Sequence, residues 1–201
     1  MPGFLSFRES IRWLPDEASE PTVTIVLSGK KTGAFVDVRF TKDSPGILDW
    51  AFAGFRHADG PDRARFEHLI DSRTLDPSSV SDSGTTTALP GGRSLERGAM
   101  VDPATGALTE YEEIWQEEEA PDAIIVRRRD GSVWKARVGG WHLEVGRDER
   151  GCWAWQARLD EGGQWEVLRR TESAPAADFL PVEHAKLVEW AGEDWEILEF
   201  S

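Results

Sequence analysis

The chain has 201 residues, of which 37 are acidic and 23 are Lys or Arg, so its net charge is −14. A hydrophobic share of 39% is consistent with a folded protein. The single Cys excludes an internal disulfide, and no apolar run is long enough to span a membrane. The excess of acidic residues argues against nucleic acid as a partner, because proteins bind phosphate backbones through clustered Lys and Arg. Together these features favour a cytoplasmic protein that is small enough to reach the nucleus.

Strand-like runs recur along the first half of the chain, most of them closed by Gly, Asp or Pro. We predict six strands there, at residues 22–28, 34–41, 47–55, 65–73, 94–101 and 108–116. The segment 76–92 consists mostly of Ser, Thr, Asp, Pro and Gly, which predicts a long mobile loop. Within it, Ser78–Thr87 is a candidate site of phosphorylation.

The second half repeats this pattern with shorter loops, and the turn Asp130-Gly131 is typical of a two-residue hairpin. We predict one helical turn at 181–185 and seven strands, at residues 123–129, 132–138, 141–147, 152–159, 165–171, 187–190 and 195–200. The two halves are weakly alike, and the charged segment 117–122 interrupts the apolar pattern between them. The sequence therefore predicts an all-β protein with little helix, made of two small antiparallel β-barrels at residues 1–119 and 120–201.

Several blocks of sequence occur together in the first half: Trp13–Pro15, Leu48–Gly54, Asp71–Thr74, Met100–Gly106 and Thr109–Trp115. In this order they resemble the fungal Hri family, which is named for an interaction with a casein-kinase-type protein kinase. The resemblance implies two lipocalin-like or streptavidin-like barrels in a cytosolic and nuclear protein of unestablished function. It also implies a protein kinase or another protein as a partner, and it supplies no catalytic residues.

Cofactor and metal chemistry finds little support in the sequence. The four His, at positions 57, 68, 142 and 184, do not have the spacing of metal ligands, and Cys152 has no second Cys to pair with. Cys152 with His142 could in principle be a nucleophile and a base, but Cys152 is better explained as a structural thiol. We expect no metal, no cofactor and no catalytic residue.

The candidate ligand-binding residues are polar or aromatic side chains on strands whose neighbours look buried. Asp37 and Arg39 share one face of their strand, and they form either an ion pair inside a barrel or a solvent-facing pair on its surface. His68 lies on an otherwise apolar strand face, where a structural role is commoner than a catalytic one. Trp50 and Phe52 complete this set of candidates.

A cavity is expected in the N-terminal half, where it has the most room if Ala51 and Ala53 point inward. The excess of Trp is expected to fill the core of the other half, because seven of the ten Trp follow residue 133. Neither a ligand nor an oligomeric state can be read from these patterns.

Three functions remain open at this point. The favoured one is a non-catalytic interaction or regulatory protein with barrel modules. The acidic run 110–119 is better explained as a strand with one solvated face and a charged linker, and the alternative is a surface that docks a basic partner. The second is a carrier of a small hydrophobic ligand in the N-terminal barrel. The third is a small-molecule isomerase or cyclase that uses Asp37, Arg39 and His68 as acid or base groups.

Overall fold

The computed structural model describes residues 3–201, and its first eight strands close into an antiparallel barrel. The strands follow one another around the barrel in chain order, and pairing of the first with the eighth closes it. Their bounds are β1 (Gly3–Trp13), β2 (Thr22–Gly29), β3 (Ala34–Thr41), β4 (Leu48–Ala58), β5 (Arg63–Asp71), β6 (Asp82–Leu89), β7 (Arg93–Val101) and β8 (Leu108–Ala120).

The remaining six strands form a separate antiparallel sheet, here called the C-terminal sheet. They are β9 (Ala123–Arg128), β10 (Val133–Val138), β11 (Trp141–Asp148), β12 (Gly151–Leu159), β13 (Trp165–Arg170) and β14 (Trp195–Phe200). Their order is β13-β12-β11-β10-β9-β14, with β13 and β14 at the edges. The all-β class and the N-terminal barrel are thus confirmed, and the second unit is a six-stranded sheet.

The C-terminal sheet packs against the outside of the barrel, and the two share one hydrophobic core. One face of β3 points out of the barrel and contacts the C-terminal sheet through residues 34, 36, 38 and 40. The residues between them face into the barrel, so both faces of this strand are buried. Across the interface lie Ile125, Trp134, Leu143 and Val145 of the sheet. The Gln156 amide of β12 donates hydrogen bonds to the carbonyls of Val23 and Val38, 3.1 and 2.8 Å away.

Two barrel strands were not predicted from the sequence. β1 was missed because its apolar positions do not alternate regularly, and a bulge interrupts its pairing with β8 between Arg8 and Ser10. The predicted mobile loop at 76–92 is wrong in its second part, which forms β6. This polar strand is ordered because β5 and β7 pair with its backbone on both sides.

The only helix in residues 3–201 is α1 (His184–Ala191), apart from a short 3₁₀ turn at Pro77–Ser79. The predicted strand at 187–190 is therefore wrong. Leu187 and Ala191 are four residues apart and both buried, which is the spacing of one helix face. Helix α1 is too short to span a bilayer, and no other described helix is long and apolar enough to do so.

Candidate functional site

The barrel contains a cavity that opens at the end where β1 begins and β2 turns into β3. The wide part of this cavity has a volume of about 530 Å³, which is within the range of small-molecule sites. Its walls combine polar and apolar surface, and the side chains that supply the apolar part are Phe4, Val26, Phe35, Phe66 and Trp115. The cavity lies in the N-terminal half, where a pocket was expected.

Deeper in the barrel the cavity narrows to an inner end of about 50 Å³. Both parts share Phe35, Phe66 and Trp115 in their walls, so they adjoin each other. The inner end adds a ring of polar side chains, which are Asp37, Arg39, Asp82, Tyr111 and Glu113. A molecule entering from the opening therefore passes the aromatic side chains shared by the two parts before it reaches this inner ring.

Asp37 and Arg39 form a buried ion pair inside the barrel. They are 2% and 7% exposed, and the guanidinium of Arg39 contacts both carboxylate oxygens of Asp37 at 2.7 to 3.2 Å. The guanidinium also lies 4.8 Å from the ring centre of Trp50 and 5.3 Å from that of Phe52. Burial lowers the pKa of Arg39, but Asp37 and nearby carboxylates raise it by more, so the group stays charged. Of the two alternatives, the inward pair is therefore observed.

A second buried cation, Arg8 of β1, closes this polar region. Its guanidinium lies 2.5 Å from Glu113 and 2.9 Å from Glu20, and it donates to the Thr22 hydroxyl at 2.8 Å. Burial raises the pKa of Glu20, but Arg8 and Thr22 outweigh that effect and lower it overall. The inner end of the barrel is thus filled by a network whose charges satisfy one another.

His68 lies behind this network and is 2% exposed. Its Nδ1 is 2.7 Å from Asp71 and its Nε2 is 3.2 Å from Asp82, while its ring stacks on Phe52 with centroids 4.2 Å apart. Burial lowers the pKa of His68, but the two carboxylates raise it overall. The Trp50 indole donates to Asp71 at 2.9 Å. Both ring nitrogens of His68 are occupied, so neither is free for a ligand.

The barrel brings together all five candidate residues named from the sequence. Asp37, Arg39 and Phe52 line the inner end, whereas Trp50 and His68 pack behind it. The expectation that Ala51 and Ala53 face the cavity is wrong: both contact the C-terminal sheet. A second sheet packed on the barrel needs an apolar outer face, and small side chains allow that close packing.

Four of the cavity residues that sequence reasoning missed are Glu96, Tyr111, Glu113 and Trp115. Three of them belong to the acidic run 110–119, which looked like a solvated strand or a docking surface. Its alternation of acidic and aromatic residues could have indicated that one face of β8 points inward. On the outer face Glu112 lies 2.9 Å from Arg97 and 3.7 Å from Arg12, so part of the run is neutralised.

Glu96 is held in its neutral form at the boundary between the wide and inner parts of the cavity. The Tyr111 hydroxyl donates to its carboxyl at 3.0 Å. Burial, together with the nearby carboxylates of Glu113 and Asp82, raises the pKa of Glu96 to about 8. The same surroundings raise the pKa of Tyr111. A protonated carboxyl and a phenol therefore stand where a ligand meets the polar region.

Glu96→Gln is expected to stabilise the protein increasingly as the pH rises from 5 to 8. An unfolded Glu ionises near its ordinary pKa of about 4.3, whereas the folded protein keeps this proton up to a pKa of about 8. Ionisation thus favours the unfolded state over this interval, and Gln cannot ionise. The difference in Tm between variant and wild type should grow by several degrees across this range. A difference that does not change with pH would contradict the assignment.

The remaining titratable residues offer no metal centre. Within residues 3–201 no group of three or more His, Cys, Asp or Glu side chains is arranged to hold a metal ion. His142 is fully buried in the C-terminal sheet and accepts a hydrogen bond from the Leu180 amide at 3.1 Å. Cys152 is half-buried, and burial raises the pKa of its thiol, which disfavours the nucleophilic thiolate.

Comparison with known proteins places this architecture in a family. The family model described as Protein HRI1 matches residues 4–199. The chain belongs to the HRI1 family. Its fold is similar to the crystal structure of uncharacterized protein YLR301w from Saccharomyces cerevisiae, with a TM-score of 0.73, 16% identity and 99% of each chain covered. Among curated proteins, none matches the sequence. The HRI1 fold is therefore shown, and its activity has to be argued from the cavity.

Proposed function

We propose that this HRI1-family protein is a non-catalytic binding protein that carries a small ligand with an apolar body in its N-terminal barrel. The observation that supports this function is the cavity of about 530 Å³ with aromatic walls and a closed polar inner end. A barrel that served only as a protein-docking module would be expected to have a filled interior. The cavity therefore favours the carrier over the interaction protein that the sequence favoured.

Catalysis is less well supported than binding by the same geometry. An acid or base needs a free proton acceptor or donor within reach of a ligand. Asp37 is engaged by Arg39, Glu113 by Arg8, and both nitrogens of His68 by carboxylates. These groups hold one another in place, and the Glu96 carboxyl, which does line the cavity, is hydrogen-bonded by the Tyr111 hydroxyl. The kinase partner suggested by the family resemblance, the cytoplasmic and nuclear location and the division at residue 119 stay predictions.

The binding function can be tested by intrinsic fluorescence, because Trp115 lines both parts of the cavity. Wild-type protein is titrated with a panel of small molecules that have apolar bodies. At least one should change the Trp emission, and Trp115→Phe should remove most of that change. Trp165→Phe is the matched control, because Trp165 stacks on Phe179 at the C-terminal sheet, and it should retain the response.

Two results would contradict the binding function. One is a panel in which no molecule changes the emission or the Tm of the wild type. The other is a response that persists in Trp115→Phe and disappears in Trp165→Phe, since that would place the ligand on the C-terminal sheet. The Tm of each variant, measured without ligand, shows whether the fold is retained.

A further inference from the structure

The opening of the cavity carries three cationic side chains, Lys30, Lys31 and Arg56, which we call the cationic rim. The protein as a whole has a net charge of −14, so positive charge at this place is not expected from composition. The two carboxylates in the wall of the wide part are Glu96, which is held neutral inside, and Glu117 beside the rim. Burial raises the pKa of Glu117 by more than the nearby Arg56 lowers it. The three cations of the rim outnumber the carboxylates beside them, Glu117 and Glu119, so the rim has a net positive charge.

The charges of the rim are available to a ligand. Within residues 3–201, neither Lys31 nor Arg56 forms an ion pair at contact distance, although Glu117 is near enough to Arg56 for the cation to lower its pKa. Lys30 lies 3.5 Å from Glu119 and 5.4 Å from the ring centre of Phe4, and both partners of the ion pair are about half exposed. Such an exposed pair contributes little and opens readily.

The turn that carries two of these cations is fixed by the C-terminal sheet. Glu199 of β14 is 2% exposed and accepts hydrogen bonds from the Thr32 amide at 2.9 Å, the Thr32 hydroxyl at 2.7 Å and the Lys31 amide at 3.3 Å. A buried carboxylate thus ties the turn between β2 and β3 in place at the opening. A positioned turn loses less conformational entropy when its side chains bind a ligand.

The inner end, in contrast, offers no free cation. Asp37, Asp82 and Glu113 stand there against Arg39, and Arg8 already binds Glu113. An anion at this end would meet carboxylates that already engage the nearby cations, whereas Lys31 and Arg56 at the rim form no ion pair among the described residues. Between the two ends lie Phe35, Phe66 and Trp115, against which an aliphatic or aromatic body loses its contact with water.

We propose, on the basis of the binding function above, that the ligand is a single-chain anionic amphiphile. Its acidic head group binds Lys31 and Arg56 at the cationic rim, with Lys30 beside them, and its apolar chain points inward between Phe35, Phe66 and Trp115. The positive rim attracts the anion to the opening of a protein that is otherwise negative. The polar inner end limits the length of chain that fits.

The test compares three probes that share one alkyl chain: dodecanoate, dodecan-1-ol and dodecylamine. Their affinities for the full-length wild type are measured by Trp fluorescence at low and high salt. Dodecanoate should bind most tightly, and its affinity should fall with added salt, because exposed charges are screened. In Lys31→Gln/Arg56→Gln the affinity for dodecanoate should fall by about tenfold, while that for dodecanol stays unchanged. Lys42→Gln, at the opposite end of β3, is the control and should bind dodecanoate normally.

Each contrary outcome identifies which statement fails. Three results would contradict the proposal that the head group is anionic: equal binding of dodecanoate and dodecanol, tighter binding of dodecylamine, or no effect of the double substitution. None of them would contradict the carrier function. Failure of all three probes to bind overturns both. Sedimentation with phosphatidylglycerol vesicles distinguishes a free anionic ligand from an anionic lipid surface. If the ligand is a free amphiphile, the protein should not cosediment with the vesicles. Cosedimentation that the double substitution weakens would overturn the single-chain ligand in favour of a lipid surface.

Discussion

Asp37→Ala is expected to destabilise the protein by about 3–5 kcal/mol, because it leaves the guanidinium of Arg39 buried without its partner. The nearest other carboxylate is Glu113, 3.8 Å away and already bound to Arg8. For a chain of this size the loss corresponds to a decrease in Tm on the order of 10 °C. Thermal unfolding followed by circular dichroism measures the change.

Two further variants show whether the loss of stability comes from the buried unpaired charge or from the loss of any ion pair. Asp37→Ala/Arg39→Met removes both charges, and it should be clearly more stable than Asp37→Ala, since no unpaired charge remains. Asp49→Ala breaks the pair with Arg73, which has the same residue types at 3.0 Å but whose side chains are both 34% exposed. It should lower stability by about 1 kcal/mol or less. If Asp37→Ala lowers the stability no more than Asp49→Ala does, the buried network does not stabilise the inner end of the barrel.

The alternation within β3 could be predicted from the sequence, but its direction could not. Val38 alone separates Asp37 from Arg39, so the two charges must share a face. Which face points inward depends on a second sheet that covers the outside of the barrel. For an isolated barrel the apolar face would be the interior. The packed sheet reverses this assignment, and it explains why Ala51 and Ala53 face outward.

Strands that depend on their neighbours were the ones that sequence reasoning missed. β6 is polar and contains three consecutive Thr, and it is held by backbone pairing with β5 and β7 rather than by its own apolar pattern. Arg8 was overlooked for a similar reason, since its partners Glu20 and Glu113 are distant in the chain. Contacts of this kind are fixed by the closed topology of the barrel.

The distribution of Trp was the most useful compositional clue. Trp134 and Trp155 are almost fully buried, on opposite faces of the C-terminal sheet, as expected for indoles that fill a core. The half with few Trp contains the cavity, and Trp115 stands in its wall. Composition could thus indicate the half in which to look for a site, but not the charge of its two ends.

Thr86→Trp is expected to abolish ligand binding, because Thr86 lines the wide part of the cavity. It pairs with Glu96 on the neighbouring strand, and an indole at this position would occupy the space of the ligand. The affinity for any molecule that binds the wild type should fall by at least tenfold, since a filled pocket loses most of the apolar burial that drives binding. The opening leaves room for the added ring, so the fold should be retained.

The matched control is the preceding residue, Thr85, which is exposed on the outer face of the same strand. Thr85→Trp adds the same side chain outside the barrel. The decisive measurement is the dissociation constant of one ligand for the wild type and both variants, with Tm values to show that all three are folded. A ligand cavity predicts that Thr86→Trp loses binding while Thr85→Trp binds like the wild type. Equal affinity of Thr86→Trp and the wild type would show that the ligand does not occupy the barrel.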